Sequence, residues 1–377
     1  MAPNQTLAAP TAASASAPVP ARNAGTSSIE DAVEWMKTGG FVVVMDNEDR
    51  ENEGDLIAAA EFATEESVAF MLRHTTGIIC VPALQERLQQ LQLPLMVENN
   101  TEVHKCKFTI TVDLKEGNST GVSAADRART IRALADPAIA PAAFNRPGHI
   151  FPLVAQNGGV LVRAGHTEAA VDLARLAGAR PLGYICEMND ENGRMMRRPQ
   201  LEVFAQKHGL PLITISDLIR YRVRTEKLVT PVADSSRKVQ TPHGAFRVVE
   251  YESLIHDQLQ RYEALVFGDV TQSGTAVYFV EEGFAHSVHA QWAQKQIVEK
   301  HGAGFLIYVN ESKKLLEISG ELMARQSIFG MGMQIVKDLG APSITLLTRE
   351  ADAKIAFDPH GFGVPIDRVE ALELPAL

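Results

Sequence analysis

The feature that most constrains this chain is a charge-dense decapeptide set between two apolar blocks. Phe41-Val42-Val43-Val44-Met45 leads into Asp46-Asn47-Glu48-Asp49-Arg50-Glu51-Asn52-Glu53-Gly54-Asp55, and Leu56-Ile57-Ala58-Ala59-Ala60 follows at once. Apolar runs without alternation read as strands buried on both faces, which places them in a sheet covered by helices. The decapeptide is then a loop pinned at both ends, carrying six carboxylates and one arginine. Charges of one sign held so close repel unless a cation lies among them. Two readings stand at this point. One is a hard divalent cation on oxygen ligands, with a phosphorylated or polyhydroxylated substrate beside Arg50; the other is a solvated acidic turn.

The flanking sequence alternates helix and strand patterns. Ser27 and Ser28 can cap a helix bearing Ile29, Val33 and Met36, which Gly39-Gly40 ends. A helix over 64–74, a strand over 77–82 and a helix over 84–91 follow, then an alternating strand over 108–113 and a helix capped by Ser123. Arg146-Pro147-Gly148-His149 reads as a turn into the strand 150–153, and 160–167 as a strand passing through glycine into a helix from Glu168 to Ala177. Such strand-turn-helix junctions present backbone N–H groups to anions. A strand over 182–187, a helix over 201–208 and a strand over 212–215 complete one domain. A second series predicts strands near 246–249, 264–267, 277–280, 305–309 and 344–347, with helices over 286–300 and 324–339. The expected organisation is a disordered tail over 1–27, a domain over 28–222, a linker over 223–240 and a domain over 241–377. The fold class is α/β, of mixed α+β character, with no internal repeat between the halves.

Composition narrows the function classes. At 377 residues and 45% hydrophobic content, the chain can build two cores, and its net charge of -10 disfavours nucleic acid or an anionic membrane as partner. No apolar run approaches the ~18 residues of a membrane span. Three widely spaced cysteines, Cys80, Cys106 and Cys186, offer neither a disulfide framework nor a Cys-x-x-Cys zinc site, which suits a cytoplasmic protein. Cys80 and Cys186 sit among apolar residues and read as core.

Glu51 and His166 are the best pair for a shared metal, offering a carboxylate oxygen and an imidazole nitrogen. His149 and Glu187, each at the tip of a strand or turn, suit a general acid and base if both face one cleft. Each also has an ordinary structural reading, as a hydrogen-bonded core histidine or a capping acid.

Four ordered motifs, Asp-Arg-Glu-Asn-Glu-Gly-Asp at 49–55, Ser-Thr-Gly-Val-Ser-Ala-Ala-Asp-Arg at 119–127, Arg-Pro-Gly-His at 146–149 and Arg-Ala-Gly-His-Thr-Glu at 163–168, resemble the 3,4-dihydroxy-2-butanone-4-phosphate synthase family. The resemblance implies a homodimeric lyase of riboflavin biosynthesis. Its substrate would be ribulose 5-phosphate, a small sugar phosphate, and its metal Mg2+ or Mn2+. It further implies Glu51 and His166 as metal ligands. Arg50, Glu51, Asp55, Glu187 and the turn Arg163, Ala164, Gly165, His166 and Thr167 are the implied substrate-binding positions. His149 and Glu187 are implied as essential for catalysis, with Asp55 sharing the proton transfers. The glycine at 54 is expected to let the acidic loop close over substrate.

The second half resembles GTP cyclohydrolase II through Phe329-Gly330-Met331-Gly332-Met333-Gln334 and the residues that follow to Ala341. A functional member needs three zinc cysteines, and no cysteine lies beyond residue 186. No zinc is therefore expected, and two histidines, His286 and His289, do not replace it. The remaining alternatives are a bifunctional enzyme that also acts on GTP by another site, and a catalytically silent regulatory partner.

Overall fold

The computed structural model describes residues 26–48, 50–233, 235–253, 255, 260–281, 288–309, 321–348 and 363–371. The first half runs α1 (Ile29–Lys37), β1 (Val42–Met45), β2 (Gly54–Ala59), α2 (Glu65–His74), β3 (Cys80–Leu84), α3 (Gln85–Gln90), β4 (Val112–Leu114) and α4 (Ala124–Ala135). It continues through β5 (Phe144–Ala155), α5 (His166–Leu176), β6 (Gly183–Glu187), α6 (Arg198–His208), β7 (Leu212–Thr214) and α7 (Ile215–Thr225). The second half holds β8 (Val229–Pro231), β9 (Arg237–Thr241), β10 (Gly244–Ser253), β11 (Gln260–Phe267), β12 (Thr275–Glu281), α8 (Val288–Gln296), β13 (Gly304–Val309), α9 (Glu321–Asp338), β14 (Ile344–Thr348) and β15 (Ile366–Ala371).

Among the described residues these strands form two mixed sheets. The first has the order β4-β5-β3-β6-β2-β1-β7, and the second β15-β14-β12-β13-β11-β10-β8, with β9 on β10. Both halves are thus mixed α/β. Strand β1 is buried along its whole length, as its uninterrupted valines require. It pairs antiparallel with β2, Met45 opposite Gly54, so the acidic loop is the connection of a hairpin held inside the sheet between β6 and β7. The helices start where short polar side chains accept from the first turn: Ser28 from Asp31 N, Thr64 from Ser67 N, and Ser123 from Asp126 N.

The sequence reading and the structure part company in several places. Residues 160–162 are not a strand: Gly159–Leu161 form a 3-10 turn. Gly158 and Gly159 adopt left-handed φ of 90° and 63°, and the Asp172 carboxylate fills the space where a Gly159 Cβ would sit. Helix α5 begins at His166, two residues earlier than the apolar period suggests. Arg146 to His149 lie inside β5 instead of in a turn, and a Cβ on Gly148 would come 2.0 Å from the Val112 carbonyl carbon, so this glycine allows β4 and β5 to approach. Of 108–113, only Val112 and Asp113 fall in a strand. The aperiodic stretch 223–240 contains the end of α7 together with β8 and most of β9. Short polar strands that owe their state to neighbours leave no such signal in a linear pattern. The helix expected over 286–300 is α8 followed by a π turn at Ile297–His301, while His286 lies outside the described residues.

The two halves share one core. Val33, Leu173, Leu218 and Val223 belong to the same apolar cluster as Tyr251, Met331 and Ile335. At the seam a Cβ on Gly330 would lie 2.6 Å from Val223 Cγ1, so α9 rides directly on α7. The Gln334 amide donates to the carbonyls of Val223 at 2.5 Å and Glu226 at 2.7 Å, and its oxygen accepts from Leu228 N at 2.8 Å. A side chain from the second half thereby satisfies the carbonyls at the end of a first-half helix.

Gly54, expected as a hinge, is instead a packing residue. It is buried in β2, and a Cβ there would lie 2.5 Å from Leu201 Cδ1 on α6. The loop reverses at Asn52, whose φ is 55°. Gly54→Ala should therefore lower stability by about 1–3 kcal/mol through overpacking. Equal denaturation midpoints for the variant and the wild type would show that Leu201 yields freely.

Candidate active site

The acidic loop is organised by its first member. Asp46, 5% exposed at the end of β1, accepts from Arg50 Nη1 at 2.9 Å, Glu51 N at 3.0 Å and Glu53 N at 2.8 Å. Three donors on one carboxylate fold the loop around it and aim Glu51 inward. From α6's N-cap, Arg197 donates to the carbonyls of Glu51 (2.9 Å) and Asn52.

The N-terminus of α5 faces this loop. His166 Nδ1 lies 3.5 Å from Glu51 Oε2 and 3.8 Å from Asp55 Oδ1, while its Nε2 is 3.1 Å from the Val44 carbonyl. A carbonyl only accepts, so Nε2 carries hydrogen and Nδ1 is the atom turned to the acids. Ligand atoms of Asp46, Glu51 and His166 fall within 4.8 Å of one another. Asp55 Oδ1, buried beside them, has no hydrogen-bond partner of its own. An imidazole fixed through its far nitrogen, two carboxylates and an orphaned buried oxygen fit a divalent cation.

Electrostatics agree with a crowded, desolvated site. Burial pushes the Asp55 carboxyl up to about 8; His166 opposes this, and the Glu187, Glu51 and Asp46 carboxylates add to it. Burial works against a charged His166, but Asp55, Glu51 and Asp46 outweigh it and raise the imidazole to about 9. Burial also disfavours the Glu51 anion, yet His166 and Arg50 bring its carboxyl down to about 2. A cation at Nδ1 competes with the proton that these carboxylates hold there.

Glu187 stands opposite Asp55 across the β2–β6 pair, and its Oε2 accepts from Thr76 Oγ1 at 2.9 Å. His149 is placed differently. It lies on β5, separated from β6 by β3, with its Nδ1 2.7 Å from Asp113 Oδ2 and its side chain 47% exposed. One chain therefore brings together Arg50, Glu51, Asp55, His166 and Glu187, and leaves His149 bonded to Asp113 on a more distant strand.

The turn 163–167 has a buried arginine at its base. Arg163 Nη1 donates to Glu168 Oε2 at 2.6 Å, and Nη2 to the His104 carbonyl at 3.1 Å and Cys106 Sγ at 3.0 Å. Gly165 fits between the arginines, since a Cβ would lie 2.5 Å from Arg163 Nη1 and 3.1 Å from Arg50 Nη2. Thr167 is buried in the first turn of α5. Two participants escaped the sequence reading. Asp46 was legible only as one acid among six, though its place at a strand end is a usable signal; His104, in an irregular loop, had none. The thiol of Cys186 is raised to about 11 by burial, as expected of a core cysteine.

Fold and cluster together define a mixed α/β enzyme with a charge-rich site at the ends of β1, β2 and β6. Residues 30–221 match the family model for 3,4-dihydroxy-2-butanone 4-phosphate synthase. The riboflavin biosynthesis protein RibBA of Salinispora arenicola is 42% identical over 368 residues, covering 89% of this chain and 87% of its own. A crystal structure of RibBX, a two-domain 3,4-dihydroxy-2-butanone 4-phosphate synthase from A. baumannii, superimposes with a TM-score of 0.77 at 36% identity, covering 92% of this chain and 100% of that one. A 3,4-dihydroxy-2-butanone 4-phosphate synthase solved in complex with two magnesium ions is 44% identical, with a TM-score of 0.51 over 53% of this chain and 98% of its own. The chain belongs to the 3,4-dihydroxy-2-butanone 4-phosphate synthase family, enzymes of riboflavin biosynthesis.

Proposed function

We propose that this chain converts D-ribulose 5-phosphate into 3,4-dihydroxy-2-butanone 4-phosphate and formate, using Mg2+ or Mn2+ on Glu51 and His166, and that its second half has no GTP cyclohydrolase activity. The observation that carries the first part is the Glu51–His166 pair, 3.5 Å apart, with the far imidazole nitrogen on the Val44 carbonyl. When bound, the cation supplies positive charge against the oxygen anion that forms as a carbon-bound proton leaves. Asp55, whose carboxyl burial pushes up, suits a proton transfer in this site. Glu187, its neighbour across the strand pair, suits a second proton transfer, and Thr76 fixes its orientation. Arg50 and the open N-terminus of α5 suit the substrate phosphate; Arg163 shapes that turn through Glu168.

The enzyme is a cytoplasmic homodimer in this reading. Support comes from large apolar side chains left at the surface. Ile78 is 50% exposed, Val97 52% and Val103 84%. Ile78 follows Gly77, whose carbonyl accepts from Arg127, as does the carbonyl of Val122, itself 44% exposed. A second copy covering these side chains would remove them from water.

For the second half, the argument is chemical. Hydrolytic ring opening of GTP in that family needs zinc, and no cysteine follows residue 186. Of the two histidines, His289 lies on α8, while His286 falls outside the described residues. Formate should appear from ribulose 5-phosphate with Mg2+ and not with chelator, while GTP yields neither formate nor pyrophosphate. GTP turnover would sink the second part of the reading. Folded, metal-loaded protein that turns over neither substrate would instead mark a silent regulatory partner.

A further inference from the structure

Glu51 is faced on both of its oxygens. Oε2 meets Arg50 Nη1 at 2.9 Å and His166 Nδ1 at 3.5 Å, and Oε1 meets the Nε2 of a second imidazole, His104, at 3.7 Å. We propose that His104 is a positioning residue for the metal-binding carboxylate, holding Glu51 Oε1 so that Oε2 stays turned toward His166. The inference rests on the reading of Glu51 and His166 as metal ligands and adds a residue that acts on the metal only through Glu51.

The loop that carries His104 is built to hold it. Glu102 accepts from His104 N at 2.9 Å and Cys106 N at 2.7 Å, and Asn100 accepts from Glu102 N at 2.9 Å while donating to the Cys106 carbonyl at 2.8 Å. Lys105, between the two inward residues, takes a φ of 56°, which closes the turn. The apex is then tied to the site, because Arg163 Nη2 donates to the His104 carbonyl and to Cys106 Sγ. Arg163 is itself fixed by Glu168 on α5, two residues beyond His166. Both imidazoles that flank Glu51 therefore hang from one buried arginine–glutamate pair, so their spacing is set together. At 3.7 Å this is an electrostatic contact longer than a hydrogen bond, favourable when His104 Nε2 carries hydrogen, since a carboxylate only accepts. Carboxylates that bind metal are oriented by partners outside the metal's own ligands, and losing one typically weakens metal affinity about 10–100-fold.

The test is Mn2+ binding to the full chain without substrate, followed by the loss of the free-ion electron paramagnetic resonance signal. Thermal unfolding of each variant is measured in parallel. His104→Ala should bind Mn2+ at least about tenfold more weakly, within the range for lost outer-shell partners. His104→Gln, whose amide nitrogen can take the place of Nε2, should recover most of that loss. Turnover at saturating metal should fall much less than turnover at limiting metal, which a general loss of loop structure would not produce. Wild-type Mn2+ affinity in His104→Ala overturns the inference and leaves the metal site standing, provided Glu51→Gln still abolishes binding. Equal weakening in the Gln and Ala variants also overturns it, since shape and not the Nε2 donor would then matter. If Glu51→Gln binds Mn2+ as tightly as wild type, the metal assignment falls and this inference with it.

Discussion

Glu51→Ala is expected to reduce metal-dependent turnover of ribulose 5-phosphate by about 10³-fold or more, on the order of 4 kcal/mol of transition-state stabilisation. Stability should fall only modestly: the 24% exposed Glu51 side chain gives up its contacts with Arg50 and His166, and its removal relieves the repulsion that raises Glu53. His166→Ala should lose the same activity with a structural cost added. It leaves Asp55 buried with no cation beside it and the Val44 carbonyl without its donor, about 1–3 kcal/mol for each unmade partner. The contrast between the variants is the informative part. Initial rates over a Mg2+ series, with denaturant melts of both proteins, measure it. Wild-type rates in either variant would remove the assigned site, and equal destabilisation would contradict the different burial of the two side chains.

The largest stability effect is expected at the buried ion pair between α5 and α7. Arg222 on α7 donates to Asp172 Oδ2 on α5 at 2.8 Å, to the Gly158 carbonyl at 2.7 Å, and in a two-pronged contact to Glu226 at 2.9 Å on each oxygen. Burial pushes the Asp172 carboxyl up, and Arg222 pulls against it. A buried ion pair of this kind adds little over an apolar replacement, but breaking it strands a charge. Arg222→Ala should therefore cost about 3–5 kcal/mol in urea unfolding. Arg222→Met combined with Asp172→Leu should recover a large part of that. A loss below about 1 kcal/mol in the single variant would show that water reaches Asp172.

How much of this was legible in the sequence depends on the range of the forces involved. The valines of β1 and the alanines of α5 announce their burial because burial on a regular element repeats with its period. The same holds for Glu51, which stands out against buried strands on either side. The 3-10 turn at Gly159 was missed because its cause, the Asp172 carboxylate, comes from the far side of α5 and occupies space no linear pattern records. His104 was invisible for a related reason. Its position depends on Asn100, Glu102 and Arg163 acting together, and the last is distant in sequence. The order of β5, β3 and β6 separates His149 from Glu187, although both sit at strand ends in the linear reading.

The contact of Gln334 with the end of α7 has a further consequence. Whatever chemistry the second half performs, it forms a wall of the first half's interior, since its glutamine closes a helix that holds Asp172 through Arg222. Ending the chain near residue 226 would leave the Val223 and Glu226 carbonyls without the Gln334 amide. A residue of one half can thus be kept for the helix it closes in the other, whatever either half catalyses.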